Sequence, residues 1–507
     1  MVWLKHRFAY LQFRYLNRGE NLYPIKEMNK TPLPIIIFLF LIGLCGAEQQ
    51  KFNVLFISAD DMNCDLGVYG HPQVKTPHLD RLATRGVVFE KAYCQQSLCG
   101  PSRASVMTGV RPEDLGILSN TNSLRTKNPN VVTLGQAFRQ NGYFSARAGK
   151  IYHYGNPSMI GTDGHDDPLT WDEKYNPIGM DRTQQEQITR YGRGRQKDNN
   201  LGISMAWWDP VSEDDDHTDG RVASKIIELI EEKKNQPFFL AAGFFNPHCP
   251  YVAPKKYFDL YPINEITMQD LDEAKRDLED VPPIALGKDL ANWPYYFADI
   301  TLDQARKCKQ AYFATQSFVD AQVGRLMDAL EKNDILDKTI VVFWSDHGYF
   351  LGEKGLWYKR KAFERSTRVP LIISAPGMAK GERSNQPVEL LDLYPTLMDL
   401  CELPLTDQLQ GKSLRPLLTD PVANSLDKPA VTLVWYGRES WGYTLRNDRY
   451  RYMEWMQGRA GRELYDHAED PEEITNLADD PKYTELIASL SLQLKTYVPD
   501  APHARNP

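Results

Sequence analysis

The chain has 507 residues, of which 42% are hydrophobic and 25% charged, and its formal net charge at pH 7 is −8. This composition is that of an ordinary globular protein, and the length allows roughly two to four domains of about 150 residues, or one large domain with a smaller appendage. The acidic balance argues against a nucleic-acid partner, because such proteins usually carry a basic surface. It does not argue against an anionic substrate, because a local basic pocket can exist in an acidic protein.

The first 47 residues predict that the protein is exported. Lys30 precedes an apolar run at 33–44 and a short stretch of small residues that ends at Ala47. The run is shorter than the ~20 residues that span a bilayer, and this order of residues is typical of a cleaved secretory signal peptide. We therefore predict an upstream segment and signal peptide over residues 1–47, a periplasmic or secreted location, and no stable membrane span in the mature form. An uncleaved membrane anchor is the alternative, and Met28 is a second candidate start.

Cysteine usage does not predict a disulfide scaffold. The seven cysteines lie at positions 45, 64, 94, 99, 249, 308 and 401. Six would remain after cleavage near Ala47, which is few for an exported chain of this size. Cys94 and Cys99 are the simplest pair if a bridge exists, but the sequence assigns none.

Strand and helix patterns alternate through most of the chain. An apolar strand at 54–57 is followed by helix-then-strand patterns within 76–93, 130–153 and 219–250. A long amphipathic helix then precedes a strand at 340–344. Apolar runs without polar alternation favour buried parallel strands. We predict an α/β fold with a large mixed, mostly parallel sheet flanked by helices.

The pattern changes after about residue 421. Closely spaced strand-like segments surround Asn447, and one helical segment lies near the end of the chain. This predicts a smaller C-terminal α+β domain with an antiparallel sheet. We place the catalytic domain at residues 50–420 and the C-terminal subdomain at residues 421–507.

Two acidic pairs stand directly after predicted strands. Asp60 and Asp61 follow the first strand, and Asp346 with His347 follows the strand at 340–344. Ligands of open α/β sheets bind at the carboxyl ends of strands, and clustered carboxylates repel one another unless a cation or protons neutralise them. Three carboxylates with few histidines favour Ca²⁺ or Mg²⁺ over zinc. A single aspartate at a strand end is more often a cap or a turn residue.

Basic residues follow other strand ends at the same edge of the predicted sheet. Lys150 and His153 lie in one such segment, His248 lies in another, and Lys359 follows His347 by a dozen residues. Each histidine alone is more often structural. Together with an arginine, these groups would form a pocket for a tetrahedral oxyanion.

The sequence resembles the type I sulfatases of the alkaline-phosphatase superfamily. "CGPSR", from Cys99 to Arg103, fits the family's C-x-P-S-R pattern. The family's order of motifs follows through "SADDMN", "GKIYH", "NPHCP", "SDHG" and "WYK", and "ELYDHAEDPEEITNLA" resembles its C-terminal segment. The resemblance covers about residues 50 to 500, and it is nearest to iduronate-2-sulfatase and its bacterial relatives.

The resemblance implies that Cys99 is converted to formylglycine (3-oxoalanine). A formylglycine-generating enzyme or an anaerobic sulfatase-maturating enzyme would be the partner for this step. The aldehyde hydrate would attack the sulfur of a sulfated carbohydrate and form a covalent sulfo-enzyme intermediate. Its second hydroxyl would then release sulfate, so that water need not attack the ester.

The resemblance also implies a role for each site residue. One Ca²⁺ ion would be held by Asp60, Asp61, Cys99, Asp346 and His347. The remaining residues would act on the nucleophile and the substrate: Arg103 and Lys150 on the formylglycine oxygens, His153 as the base that restores the aldehyde, and His248 and Lys359 on the sulfate and the leaving alcohol.

Three other functions fit the sequence less well. A phosphonate monoester hydrolase or phosphodiesterase of the same superfamily can use the same motif. A non-catalytic exported glycan-binding protein would be expected to have lost Cys99, Arg103 or a metal aspartate, all of which are present. A thiolate nucleophile would give no reason for the acidic cluster. Similarity to iduronate-2-sulfatase suggests a 2-O-sulfated uronic acid, and Trp207, Trp208 and Arg221 are either sugar contacts or loop packing.

Overall fold

An eight-stranded mixed sheet forms the centre of the molecule. The computed structural model describes residues 51–191, 201–287, 300–423, 425–498 and 501–502. Twenty strands lie within these residues: β1 Asn53–Asp60, β2 Val87–Phe89, β3 Ala92–Tyr93, β4 Phe144–Gly149, β5 Glu173–Tyr175, β6 Thr189–Tyr191, β7 Met205–Trp208, β8 Phe238–Pro247, β9 Tyr251–Val252, β10 Thr339–Ser345, β11 Phe350–Leu351, β12 Trp357–Tyr358, β13 Arg368–Val369, β14 Leu371–Ser374, β15 Glu382–Ser384, β16 Val388–Glu389, β17 Ala430–Gly437, β18 Ser440–Arg446, β19 Tyr450–Trp455 and β20 Arg462–Asp466.

Helices connect most of these strands. The described α-helices are α1 Pro77–Ala83, α2 Cys99–Thr108, α3 Pro112–Leu115, α4 Leu124–Lys127, α5 Leu134–Gln140, α6 Met180–Thr183, α7 Thr218–Lys233, α8 Lys255–Phe258, α9 Leu271–Arg276, α10 Pro283–Leu286, α11 Leu302–Lys332, α12 Glu364–Thr367, α13 Leu393–Leu400, α14 Arg415–Thr419 and α15 Thr484–Lys495. One-turn 3₁₀ helices occur at Gly67–Tyr69, Gln185–Gln187, Leu201–Ile203, Asp214–Asp216, Ile263–Glu265, Leu336–Lys338, Glu353–Gly355, Leu390–Asp392 and Pro481–Tyr483.

The sheet order confirms the predicted α/β fold. The strands run β15-β2-β14-β10-β1-β8-β4-β5. Five neighbouring pairs are parallel, and the two pairs made by β14 are antiparallel. The sheet is therefore mixed and mostly parallel. Because β1 and β10 pair in parallel with Ala59 opposite Ser345, their carboxyl ends meet at one edge.

Strand β1 is buried on both faces, which explains its unbroken apolar run. Leu55 and Ile57 belong to the hydrophobic core on one side of the sheet, and Val54 and Phe56 to the core on the other side. Helices α7 and α11 contribute to the first core, and α2, α5 and α13 to the second. Since consecutive side chains of a strand point to opposite faces, a strand covered on both faces needs apolar residues at every position.

A second sheet lies in the C-terminal part of the chain. Strands β17 to β20 form an antiparallel meander in chain order, and Leu490 and Leu494 of α15 pack against it. This confirms the predicted α+β segment with an antiparallel sheet. The division between a catalytic domain and a subdomain at residues 420 and 421 stays a prediction.

The six cysteines within the described residues are all free, so the simplest bridge, between Cys94 and Cys99, is not formed. Across the same residues, every helix is too short or too polar to cross a membrane. The predicted signal peptide at residues 1–47 lies outside the described residues.

Candidate active site

The carboxyl ends of β1 and β10 bring Asp60 and Asp61 next to Asp346 and His347. Asp61 follows β1 in a left-handed backbone conformation with φ 64°, and its amide donates to Asp346 Oδ1 at 3.1 Å. Asp60, Asp61, Asp346 and His347 are all fully buried. The structure therefore brings together two pairs of neighbouring residues that lie 285 positions apart in the sequence, measured from Asp61 to Asp346.

Cys99 lies directly beside this acidic cluster. It is the first residue of α2, and its Sγ is 3.3 Å from His347 Nε2, 3.6 Å from Lys359 Nζ and 3.8 Å from Asp61 Oδ1. Burial raises the pKa of the Cys99 thiol, and Lys359 only partly opposes this effect. A thiol with a raised pKa is a poor thiolate nucleophile, so the surroundings of Cys99 weaken the thiolate alternative.

Four of the predicted metal ligands fit a cation. Asp61, Cys99, Asp346 and His347 each offer one ligand atom, and these atoms all lie within 4.8 Å of one another. His347 Nδ1 lies 3.0 Å from the carbonyl oxygen of Gly348. With Nδ1–H donated there, the Nε2 lone pair faces Asp61 Oδ1 at 3.3 Å and Asp346 Oδ1 at 3.6 Å. These groups repel one another unless positive charge lies between them.

An unpartnered carboxylate oxygen of Asp61 also supports a cation at this cluster. Asp61 Oδ2 is buried and makes no hydrogen bond within the described part of the chain, and a buried carboxylate oxygen without a partner is costly. If Cys99 is converted to formylglycine, as the resemblance implies, three of the four ligand atoms at residues 61, 99, 346 and 347 would be oxygens. Oxygen ligands suit hard cations such as Ca²⁺, so the converted donor set fits the predicted ion.

Asp60 has different neighbours. Its Oδ2 is paired with Lys150 Nζ, and its Oδ1 lies 3.3 Å from Arg103 Nη2. Burial raises the pKa of Asp60, but Lys150, His248 and Arg103 together hold it well below its usual value. Among the described residues, the metal-ligating group that includes Asp60 is completed by Asp61 and His248, and it does not contain Cys99, Asp346 or His347. Its role as a metal ligand stays a prediction.

Arg103 links the carboxyl ends of β1 and β10 by hydrogen bonds. Nε donates to Asp346 Oδ2 at 2.8 Å, and Nη2 donates to Ala59 O at 3.1 Å and to Asp60 Oδ1 at 3.3 Å. Nη1 donates to the carbonyl oxygens of Lys150 and Ile151, at 2.8 and 3.1 Å. A guanidinium has five N–H donors, and these contacts engage all of them. Arg103 therefore holds carboxylates and backbone in place.

Lys150 and Lys359 contact different aspartates. The Lys150 ammonium pairs with Asp60, and the Lys359 ammonium pairs with Asp61. Lys150 is fully buried, whereas the Lys359 side chain is 11% exposed. Burial lowers the pKa of Lys359, but the surrounding negative groups, of which Asp61 contributes most, together raise it above its usual value. Lys359 is therefore positively charged at neutral pH, at the edge of the site.

His248 and His153 complete the predicted set. His248 Nδ1 lies 2.6 Å from Cys249 O, which leaves Nε2 directed to the site, 3.8 Å from Asp61 Oδ2. His153 Nδ1 is buried and makes no hydrogen bond with the described residues. Burial, followed by the charge of Lys150, holds the pKa of His153 well below its usual value, so this imidazole is neutral at pH 7.

The motifs missed residues that hold the His248 turn. Asp219, in the first turn of α7, accepts hydrogen bonds from the amides of Phe245 at 2.8 Å and Asn246 at 2.9 Å. Asn156 Nδ2 donates to His248 O at 3.1 Å. In the sequence, an aspartate at this position indicates only a favourable charge at a helix N-terminus. No local pattern reveals its contacts with β8.

Two of the residues considered as sugar contacts, Trp207 and Arg221, make contacts within the protein. Lys307 Nζ lies 4.0 Å from the centre of the Trp207 ring. Arg221 donates to the carbonyl oxygens of Ile178 at 2.5 Å and Asp215 at 2.8 Å. Both contacts favour loop packing among the alternatives.

The comparisons with known proteins agree with this geometry. The sulfatase family model matches residues 52–403, and the model of the N-sulphoglucosamine sulphohydrolase C-terminal region matches residues 352–499. The chain belongs to the sulfatase family. This confirms the resemblance seen in the sequence, and the membership supports hydrolysis of a sulfate ester as the activity.

Individual relatives extend over most of this sulfatase. A sulfatase of Formosa agariphila is 35% identical over 478 residues, covering 90% of this chain and 91% of that protein. Iduronate 2-sulfatase of Homo sapiens is 30% identical, covering 82% of this chain and 89% of that protein. A solved phosphonate monoester hydrolase of Agrobacterium radiobacter has a TM-score of 0.72 at 22% identity, covering 88% of this chain and 95% of that one. The last likeness shows the fold alone.

Proposed function

We propose that this sulfatase releases sulfate from a sulfated carbohydrate, with Cys99 converted to formylglycine as the nucleophile and one Ca²⁺ ion at its side. One observation carries the proposal. Cys99 Sγ lies within 4 Å of Asp61, His347 and Lys359, in a cluster whose carboxylates and imidazole fit a cation. A nucleophile, a cation and a lysine would thus meet at one point.

The bound ion would polarise a sulfate oxygen, and the oxidised side chain would supply a geminal diol. The protein supplies a fixed frame for both. Arg103 locks Asp60 and Asp346 by hydrogen bonds, and Lys150 pairs with Asp60. Because these groups are buried, their positions would change little when substrate binds.

Three side chains would act on the substrate and its protons. Lys359 would hold a sulfate oxygen, since its ammonium faces both Cys99 and Asp61. Once protonated, His248 Nε2 would give a proton to the leaving alcohol, because its other nitrogen is occupied by Cys249 O. His153, neutral at pH 7, would take the proton when the aldehyde is restored.

The substrate proposed is a 2-O-sulfated uronic acid at the end of a glycan. It is supported by the 30% identity with human iduronate 2-sulfatase over 82% of this chain, and by His347, a histidine where that branch of the family has one. Under this proposal the protein acts in the periplasm or outside the cell, after maturation by a formylglycine-forming enzyme.

The proposal is tested in two steps. The chain is expressed with and without a maturing enzyme, and the mass of the tryptic peptide that holds position 99 reports the conversion. Sulfate release is then compared among an oligosaccharide ending in a 2-O-sulfated uronic acid, a 6-O-sulfated glucosamine, choline sulfate and a phosphonate monoester. We expect conversion and a preference for the uronic acid. A preference for the phosphonate would replace the proposal by that alternative, and unmodified Cys99 with no sulfate release would refute it.

Variants test the roles of individual residues. His248→Gln should lower kcat, because Nε2 could no longer donate a proton to the leaving alcohol. Lys359→Met should chiefly raise KM. His71→Asn is the matched control, since His71 Nδ1 accepts hydrogen bonds from the nearby amides of Gln73 and Val74, and asparagine keeps an acceptor. If all three variants share one loss of activity, the assigned roles are wrong.

A further inference from the structure

One buried hydroxyl ties both ends of the turn that carries Asp61. Tyr312 lies on α11 and is fully buried. Its hydroxyl donates to the carbonyl oxygen of Asp61 at 2.7 Å and accepts from the amide of Asn63 at 2.9 Å. Donor and acceptor capacities of the hydroxyl are thus both directed to the backbone of one turn, from a helix 250 residues further along the chain.

The turn needs such support because Asp61 is strained. Its φ of 64° lies in the left-handed region, which residues other than glycine enter at a cost unless their surroundings hold them there. This conformation separates the two neighbouring carboxylates: Asp60 is directed to Lys150, and Asp61 to Cys99 and Lys359. Without it, the predicted cation would lose one of its carboxylate ligands.

Other contacts hold the turn from the β10 side. The amide of Asp61 donates to Asp346 Oδ1 at 3.1 Å, and the amide of Met62 donates to Ser345 Oγ at 2.9 Å. Tyr312 acts from the helix layer and bonds to two further backbone groups of the turn, the Asp61 carbonyl and the Asn63 amide. Removing its hydroxyl would leave both buried groups without this partner, which costs more than the bonds themselves contribute.

We propose that Tyr312 is a positioning residue for the cation site: it holds Asp61 in the conformation that directs its carboxylate to the ion. The proposal rests on the proposed function, in which Asp61 is a Ca²⁺ ligand. Tyr312 itself would touch neither the ion nor the substrate.

The neighbouring tyrosines provide a matched control. The ring of Tyr349 stacks on that of Tyr312, with centroids 5.2 Å apart and planes at 15°. Its hydroxyl is equally buried, but it bonds to Tyr251 at 2.7 Å. Tyr312→Phe and Tyr349→Phe therefore each delete one buried hydroxyl from the same cluster, and only the first deletes a contact with the Asp61 turn.

Calcium binding is titrated by calorimetry on the metal-free full chain, for the unaltered protein and both variants. We expect Tyr312→Phe to weaken Ca²⁺ binding by about tenfold to a hundredfold, and Tyr349→Phe by less than about threefold. Activity of matured Tyr312→Phe should return toward the unaltered kcat as Ca²⁺ is raised, with KM little changed. The activity of matured Tyr349→Phe, which lacks an equally buried hydroxyl, should show no such dependence on added Ca²⁺.

Equal Ca²⁺ affinities for the two variants would overturn the inference while leaving the proposed function intact. An unaltered chain that binds no Ca²⁺ would instead remove the metal from the proposed function, and the inference would fall with it. If the variants fail to fold, the inference can still be tested on the unaltered protein. The measurement is the rate of hydrogen exchange of the Asn63 amide in the metal-free chain. Slow exchange is expected, because Tyr312 already holds this amide, whereas protection that appears only with Ca²⁺ would contradict the proposal.

Discussion

Substituting Arg103 by lysine tests how the buried frame of the site is held. Arg103 is fully buried and uses its five N–H donors on two carboxylates and three backbone carbonyls. Lysine keeps the positive charge but has three donors on a single nitrogen, and it cannot reproduce the planar fork. Arg103→Lys therefore changes geometry at constant charge.

The expected loss of stability follows from the number of contacts. At least two of the five hydrogen bonds must be lost, and those to charged partners are worth about 1.5–3 kcal/mol each. The substitution would separate a buried cation from Asp60 or Asp346, which typically costs about 3–5 kcal/mol. We expect a loss of about 3–5 kcal/mol, a large part of the ~5–15 kcal/mol by which proteins are stable.

Urea unfolding of the unmatured chain in EDTA measures this loss without contributions from the ion or from formylglycine. Arg139→Lys is the control, because Arg139 Nε also bonds an aspartate, Asp172 at 2.8 Å, but its side chain is 34% exposed. Exposed pairs contribute up to about 1 kcal/mol. If Arg103→Lys cost no more than Arg139→Lys, the view of Arg103 as the buried link between the strand ends would be refuted.

Three further predictions concern pH and metal. Burial raises the pKa of Glu463 from 4.5 to about 7. The stability that the protonated carboxyl contributes is therefore fully present below pH 4.5 and is lost as the pH rises toward 7. Between pH 4.5 and 7.5, the free energy of unfolding of Glu463→Gln, measured in urea, should increase by about 3 kcal/mol relative to that of the parent. Burial raises the pKa of Glu389, but Arg111 and Lys428 outweigh this effect and lower the pKa from 4.5 to about 2. The ionised carboxylate therefore stabilises the fold above pH 4.5, and this stability is lost as the pH falls. Glu389→Gln should accordingly make the acid unfolding curve, followed by circular dichroism, less dependent on pH. EDTA should lower the Tm and abolish sulfate release, and Ca²⁺ should restore both; an unchanged Tm and activity would contradict the metal assignment.

Much of the fold could be predicted from local patterns. Strands β1 and β10 contain unbroken apolar runs, at 54–57 and 340–344, because both faces of the sheet are covered, and such runs are recognisable without any partner. The antiparallel insertion of β14 between β10 and β2 was not predictable in the same way. Strand order depends on pairing between segments far apart in the chain, and a short apolar run such as Leu371–Ser374 fits either direction.

The candidate site shows the same division. Residue types and motif order indicated which side chains would gather, since the carboxyl ends of parallel strands share an edge. They did not separate Asp60 from Asp61. In the sequence the two form one acidic pair, but the left-handed backbone at Asp61 sends one carboxylate to Lys150 and the other to Lys359. That backbone conformation depends on Tyr312, whose contact is invisible to local pattern.

The charges of the site explain how an acidic chain would act on anions. Three carboxylates, at Asp60, Asp61 and Asp346, are paired with three basic side chains, at Arg103, Lys150 and Lys359. This set is balanced by itself, so a divalent cation would bring a net charge of about +2 to a buried point, where charge is weakly screened. Because the positive and negative side chains are equal in number, they can keep their positions without substrate. The negative charge of a bound sulfate group would then neutralise the positive charge that the cation adds. The overall charge of −8 therefore does not oppose an anionic substrate, because attraction arises at the buried centre.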